Sequence, residues 1–269
     1  MKKLFILFFI VNQFLNAQTV CKGKLIDESN GSPVEFANIG ILGKGIGTVS
    51  DENGEYSLMI PDSLKNETIQ ISLIGYETIK TKSKDLITNP IAKMKQVSVN
   101  LKEISVTSKK IKTKILGNKT TAKGISAGFK NNNLGTEMAI KLNIKNKQTH
   151  LKSLMFQVNN NEIDSVIFRV NLYCVGKNGL PDTNLLQQNI YITMPQKTGF
   201  IKTDLTPYNL FLDEDAFISI EWIKDLGDAS KLSFATKLVG SATYFRQASQ
   251  DKWEKVSPIG IGLHVEVAY

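Results

Sequence analysis

Short apolar–polar alternations, each a few residues long and closed by a turn signal, run through most of the chain. Val20 to Ile26 places Lys22 and Lys24 on one face and Cys21, Gly23 and Leu25 on the other, which predicts a strand. Asn30-Gly31-Ser32-Pro33 reads as a turn. Val34 to Leu42 is a second expected strand, broken by Gly43, Gly45 and Gly47. Asp51-Glu52-Asn53-Gly54 is a hairpin loop, with Gly54 free to take positive φ. Tyr56, Leu58 and Ile60 alternate up to Pro61. Ile69, Ile71 and Leu73 follow, ending near Gly75-Tyr76, and Val97, Val99 and Leu101 close the set. Regular short strands with little helical period predict a β-sandwich.

A second run begins near Glu137. Met138 to Ile144 and Leu151 to Val158 alternate. Ser165 to Val175 is the strongest strand: Val166, Phe168, Val170, Leu172 and Cys174 face one way, and Ile167, Arg169, Asn171 and Tyr173 the other. Gly176 to Pro181 is turn-rich. Later strands are expected at 189–194, 199–204, 216–223, 232–236, 242–247 and 261–269. Eight or nine strands over about 130 residues suggest a jelly-roll-like sandwich. The fold class is therefore all-β, with two β-sandwich domains at 18–103 and 137–269 joined by a flexible basic linker at 104–136. The final alternation Ile261, Leu263, Val265, Val267 and Tyr269 also fits the last strand of an outer-membrane barrel, a competing expectation.

Composition refines this. Of the 269 residues 42% are hydrophobic, enough for real cores. Residues 1–17 read as a signal peptide: Lys2 and Lys3 form a positive start, Leu4 to Val11 an apolar run too short to span a bilayer, and Ala17 a small residue at a cleavage point. A lipid anchor on Cys21 is not expected, since Val20 replaces the small residue it needs. The net charge is +8, and residues 102–123 carry seven Lys against Glu103. That places the excess on the linker rather than on a folded basic face with interleaved aromatics, so nucleic-acid binding is not expected. Export permits a disulfide, but Cys21 and Cys174 both sit in apolar strands, where a free thiol packs as a small hydrophobe.

Three segments together resemble a known family: Gly23 to Asp27, Pro33 to Ile39, and Gly47 to Leu58, followed by Ile74-Gly75-Tyr76-Glu77. Their order is similar to that of the carboxypeptidase regulatory-like domain, over about 80 residues. The resemblance implies a seven-stranded, transthyretin-like sandwich and no peptidase site. Leu101-Lys102-Glu103-Ile104-Ser105-Val106-Thr107 is similar to the segment that follows this domain in TonB-dependent outer-membrane receptors, where such a stretch pairs with a partner by strand addition. Leu101, Glu103, Ile104, Val106 and Thr107 are thus a candidate interaction segment, although too little chain follows for the plug and barrel of those receptors. Asp164 to Tyr173 resembles envelope β-sandwich domains of Bacteroidetes of unknown role.

Candidate chemistry is sparse. His150 and His264 are the two histidines, and neither stands in a metal-ligating pattern. No nucleophile elbow is present. Asp213-Glu214-Asp215 is the densest acidic cluster, and Asp51, Glu52 and Asn53 suit a turn better than a calcium loop. No metal or cofactor is expected, and an enzyme is not expected; a small hydrolase is the remote alternative. Trp253 is the candidate sugar platform, with Arg246 and Asp251 as its hydrogen-bonding neighbours; the competing reading is that Trp253 caps a core. The expected function is a non-catalytic exported binding module for a glycan or an envelope protein, located in the periplasm, outer membrane or cell surface. The alternative is a structural or coupling part of an outer-membrane assembly.

Overall fold

The computed structural model describes residues 18–97, 112–129, 132–162, 166–194, 198–224, 232–239 and 241–269. The segment read as a signal peptide lies outside them.

The first sandwich has strands β1 (Gln18–Asp27), β2 (Asn38–Ile41), β3 (Ile46–Val49), β4 (Glu55–Pro61), β5 (Thr68–Ser72), β6 (Ile79–Lys82) and β7 (Ile91–Met94), with one short helix, α1 (Ser83–Thr88). They form two sheets ordered β4-β1-β7 and β3-β2-β5-β6. The count is the seven strands expected. Period-two alternation sets the inward faces: Leu25, Ile39, Ile60, Ile69 and Ile71 are fully buried between the sheets. Burying each is worth about 1.5–3 kcal/mol.

Three boundaries differ from the sequence pattern. The second strand begins only at Asn38, because Phe36 turns the backbone to φ +56. Gly47 does not break a strand but sits inside β3, paired with Gly40 of β2. The closing strand is β7, parallel to β1. Val97 is not in it, and Val99 and Leu101 lie outside the described residues. The turn at Asp51–Gly54 is present, with Asp51 Oδ1 accepting the N–H groups of Asn53 and Glu55 at 2.8 Å. It is not a hairpin, since β3 and β4 belong to opposite sheets.

The second sandwich holds β8 (Thr113–Gly117), β9 (Ser126–Gly128), β10 (Glu137–Leu142), β11 (Thr149–Asn161), β12 (Val166–Val175), β13 (Pro181–Asn184), β14 (Ile190–Met194), β15 (Gly199–Asp204), β16 (Phe211–Leu212), β17 (Ala216–Trp222), β18 (Leu232–Leu238), β19 (Thr243–Arg246), β20 (Glu254–Val256), β21 (Ile259–Ile261) and β22 (Leu263–Ala268). One sheet runs β13-β12-β17-β10-β19-β20, with β14 also on β12. The other runs β21-β18-β11-β22-β8, with β15, β16 and β9 on its flanks. Phe129, Phe156, Phe168, Trp222 and Phe234 interlock between them, with ring centroids 5.3–6.1 Å apart. The C-terminal alternation thus lies inside a filled sandwich: β22 sits between β11 and β8, and Leu263, Val265 and Val267 are buried.

The stretch read as linker is not all connector. Its residues 113–117 pair with β22 and 126–128 with β18. An edge strand with outward Lys114 lacks the apolar alternation of a central one, so its sequence reads as a solvated connector. Cys21 and Cys174 are both free; the Cys21 thiol is buried 3.9 Å from the Tyr56 hydroxyl.

Candidate functional site: a polar cleft between the sandwiches

The outward face of the β12 sheet carries one cross-strand row. Arg169 of β12 stands opposite Glu221 of β17, Glu221 opposite Glu137 of β10, and Glu137 opposite Arg246 of β19. On a free sheet this row would face water. Here Arg169, Glu221 and Glu137 are all within 2% of fully buried and Arg246 is 8% exposed, because the first sandwich lies over them.

Local geometry explains the row's stability. The four charges run plus, minus, minus, plus across the sheet, and sum to zero. Arg169 Nε donates to Glu221 Oε2 at 2.9 Å. Its Nη2 is also 2.8 Å from that oxygen, within ion-pair range but off hydrogen-bond geometry. Arg246 Nη2 lies 2.7 Å from Glu137 Oε2 and 3.5 Å from Glu221 Oε1. The two carboxylates would repel each other, but the Asn171 amide donates to both, at 2.9 and 2.8 Å. Ser219 Oγ and the Tyr173 hydroxyl also donate to Glu137. Burial pushes the Glu137 carboxyl up, against the downward pull of Arg246. Burial works against both guanidinium charges, yet Glu221 beside Arg169 and Glu137 beside Arg246 hold both above the usual arginine value.

The first sandwich is keyed onto this face. Arg169 Nη1 donates to the carbonyl of Phe36 at 2.6 Å, the residue whose positive φ turns it there. Phe36 packs edge-on against Tyr191 and groups with Val49 and Ile223. Gly40 and Gly47 make a bare patch on which the loop 248–252 rests: a Cβ on either would stand 2.2 Å from the Ser249 carbonyl oxygen. From that loop Ser249 Oγ donates to Asn38 at 2.6 Å. Gln250, itself at φ +63, donates to Ser72 at 2.7 Å and accepts from Gln70 at 2.9 Å. Lys224 meets Glu52 at 2.7 Å.

Between the two sandwiches a cavity of about 420 Å³ remains, lined from the first by Asn38, Gln70 and Ser72 and from the second by Asn171, Asn184, Asn189 and Gln250. Arg169, Tyr173 and Arg246 form part of its wall, and the exposed Thr78, Asp182 and Thr183 mark its mouth. Arg246 Nε and Asn189 Oδ1 are buried there without a hydrogen-bond partner. A larger groove of about 980 Å³ runs along β1, β3 and β4. It is open, and among the described residues no buried, unpartnered polar side-chain atom lies on its lining.

The residues expected to bind sugar are redistributed. Arg246 is committed to the charge row. Asp251 accepts the N–H of Gly45 at 2.9 Å and so ties the two sandwiches together. Trp253 is half-buried, with its ring 5.3 Å from the Arg246 guanidinium and edge-on to Tyr173 at 5.6 Å. It packs on a satellite cluster with Ala139, Phe217 and Tyr244. Leu101, Glu103, Ile104, Val106 and Thr107 lie outside the described residues. In the acidic cluster, Asp213 accepts the Gln148 N–H, and Asp215 accepts the Ile144 N–H and pairs with Lys141. Sequence reasoning placed Arg169, Asn171 and Tyr173 on one polar strand face, but nothing in it paired them with Glu137 and Glu221.

The fold and the cleft define an all-β protein of two interlocked sandwiches with a polar site at their junction. Residues 21–106 match the family model of the CarboxypepD_reg-like domain, a regulatory-like rather than catalytic type. Among the curated proteins nothing matches the chain. Among solved structures it is similar to the cysteine protease and lectin-like domains of Cwp84, a surface-layer-associated protein of Clostridium difficile, at a TM-score of 0.43 and 12% identity, covering 82% of this chain and 45% of that one. A clostridial Cwp84 after propeptide cleavage gives 0.43 and 13%, covering 91% and 70%. The Gx strain of infectious bursal disease virus gives 0.33 and 9%, covering 94% and 68%. The chain thus spans less than half of the first of these. The sandwich architecture stands on the strand pairing itself.

Proposed function

We propose that the protein is an exported, non-catalytic binding module of the cell envelope, and that its ligand enters the cleft between the sandwiches. The cavity carries this reading: a buried charge row with unsatisfied polar atoms is a poor way to stabilise an interface, since an apolar replacement often does as well or better. Unpaired buried donors and acceptors ask for a partner. The non-catalytic part rests on the pairing of Glu137 and Glu221 with the two arginines, which leaves neither carboxylate placed as a free base, and on histidines without metal-ligand spacing. The charged start and apolar run of residues 1–17 support export.

The test is fractionation of the native host, followed by capture of envelope glycan and protein fractions on the purified full chain. The reading expects the protein outside the cytoplasm and retention of at least one fraction. Cytoplasmic recovery, or capture of none, would contradict it.

A further inference from the structure

We infer that the interdomain cavity takes a neutral, hydroxyl-rich ligand, a short uncharged oligosaccharide segment, held by both sandwiches at once. The inference rests on the binding-module reading and narrows its ligand.

Charge is the first argument. Two arginines line the cavity, which would suggest an anion. Both are already engaged, Arg169 by Glu221 and the Phe36 carbonyl, Arg246 by Glu137. The buried row sums to zero, and Asp182 stands at the mouth. An anion would meet no free positive charge and would pass a carboxylate on entry. A cation would meet no free carboxylate inside, because Glu137 and Glu221 accept from the arginines and from Asn171.

Lining chemistry is the second. Asn38, Gln70, Asn184, Asn189 and Gln250 are amides, each with two N–H donors and a two-lone-pair acceptor in one plane. Part of that capacity is spent within the protein, Gln70 on Gln250, Gln250 on Ser72, Asn184 on Asn171 and Asn189 on the Ile74 carbonyl. The second N–H and second lone pair of each match sugar hydroxyls, which also donate and accept. Arg246 Nε and Asn189 Oδ1 offer one unmet donor and one unmet acceptor, the first on a side chain nine-tenths buried. A peptide added to the β13 edge would still need pockets for its side chains, and the apolar part of this wall is small: Leu73, Ile74 and the Tyr173 ring. The volume lies in the range of small-ligand sites.

The test is calorimetric titration of the full chain with neutral di- and tetrasaccharides (maltose, cellobiose, chitobiose, xylobiose and their tetramers), beside uronic-acid and sulfated oligosaccharides and a random peptide pool. The expected result is saturable binding of at least one neutral sugar, little changed between 50 and 500 mM salt. Thr183→Trp, on the exposed mouth, should abolish that binding. Gln70→Ala and Asn184→Ala, on opposite sandwiches, should each weaken it about three- to tenfold, as the loss of one hydrogen bond does. Thermal unfolding of each variant checks that it is folded.

Binding only of anionic sugars, binding only of peptides, or neutral-sugar binding that survives Thr183→Trp would each overturn the inference. So would no binding at all. If the chain still captures an envelope fraction in those cases, the ligand class falls and the binding-module reading stands. If it captures nothing, both fall.

Discussion

Arg169, Glu221, Glu137 and Arg246 put four full charges where water cannot reach them. Each is tolerable only because the next is present. Glu221→Gln removes the carboxylate that faces both arginines and leaves Arg169 without its counter-charge. The expected cost is about 3–5 kcal/mol in urea unfolding, the range for breaking a buried pair from one side. Arg169→Met with Glu221→Leu should cost clearly less, and an equal or larger loss in the double variant would show that the row stabilises the fold outright. Asp27 gives a second residue-scale test. It accepts from the Ser29 hydroxyl and N–H, then from Gln96 and Tyr76, and these hold its carboxyl at about 2, below the usual value of about 3.9. Because the unfolded chain takes up that proton first, the stability it gives is present above about pH 4 and is lost as pH falls toward 2. Asp27→Asn should flatten the acid-unfolding profile in that window; an unchanged profile would contradict it. What the sequence made visible at this scale was the polar side of β12. Its partners were hidden because Glu137 and Glu221 come from strands 34 and 52 residues away, and register between distant strands leaves no trace in local spacing.

Among the elements, the β2–β3 hairpin does the work of docking. Gly40 and Gly47 are directly paired, and together they present a strip of bare backbone to the loop 248–252. Gly47→Val would drive a side chain into the Ser249 carbonyl while leaving the β-pairing of β3 free to form. The expected outcome is an intact first sandwich that no longer seats on the second, seen as a larger radius in small-angle scattering. A wild-type radius would contradict the docking role. The glycines were legible as a cluster, but a cluster of glycines reads as a loop from sequence, whereas here one of them serves close packing inside a strand. Strands with a clear apolar face, such as β4, β12, β14 and β22, could be placed from alternation alone. β8, β13 and β20 could not, because they are short edge or near-edge strands whose side chains mostly face solvent.

At the scale of the whole molecule, the two sandwiches share hydrogen bonds given by Arg169, Ser249 and Gln250, one accepted by Asp251, and a small apolar contact around Phe36. They should therefore unfold together. Calorimetry of the full chain is expected to give one transition, and Gly47→Val two; two transitions in the wild type would mean that the interface adds little. Two sandwiches were readable in the sequence from strand spacing and turn signals. Their junction was not, since the polar residues that make most of it look like surface when their own domain is considered alone. That is also why Trp253, an aromatic among polar neighbours, stands out in the sequence where the amides that line the cleft do not.

The central claim is that ligand binds between the sandwiches and touches both. Hydrogen–deuterium exchange of the full chain, with and without the captured envelope fraction, tests it most directly. Added protection is expected on both walls of the cleft, at β5 around Gln70 and at β13 through Asn189 on the other side. Protection confined to one sandwich, or to the loop around Trp253, would contradict it.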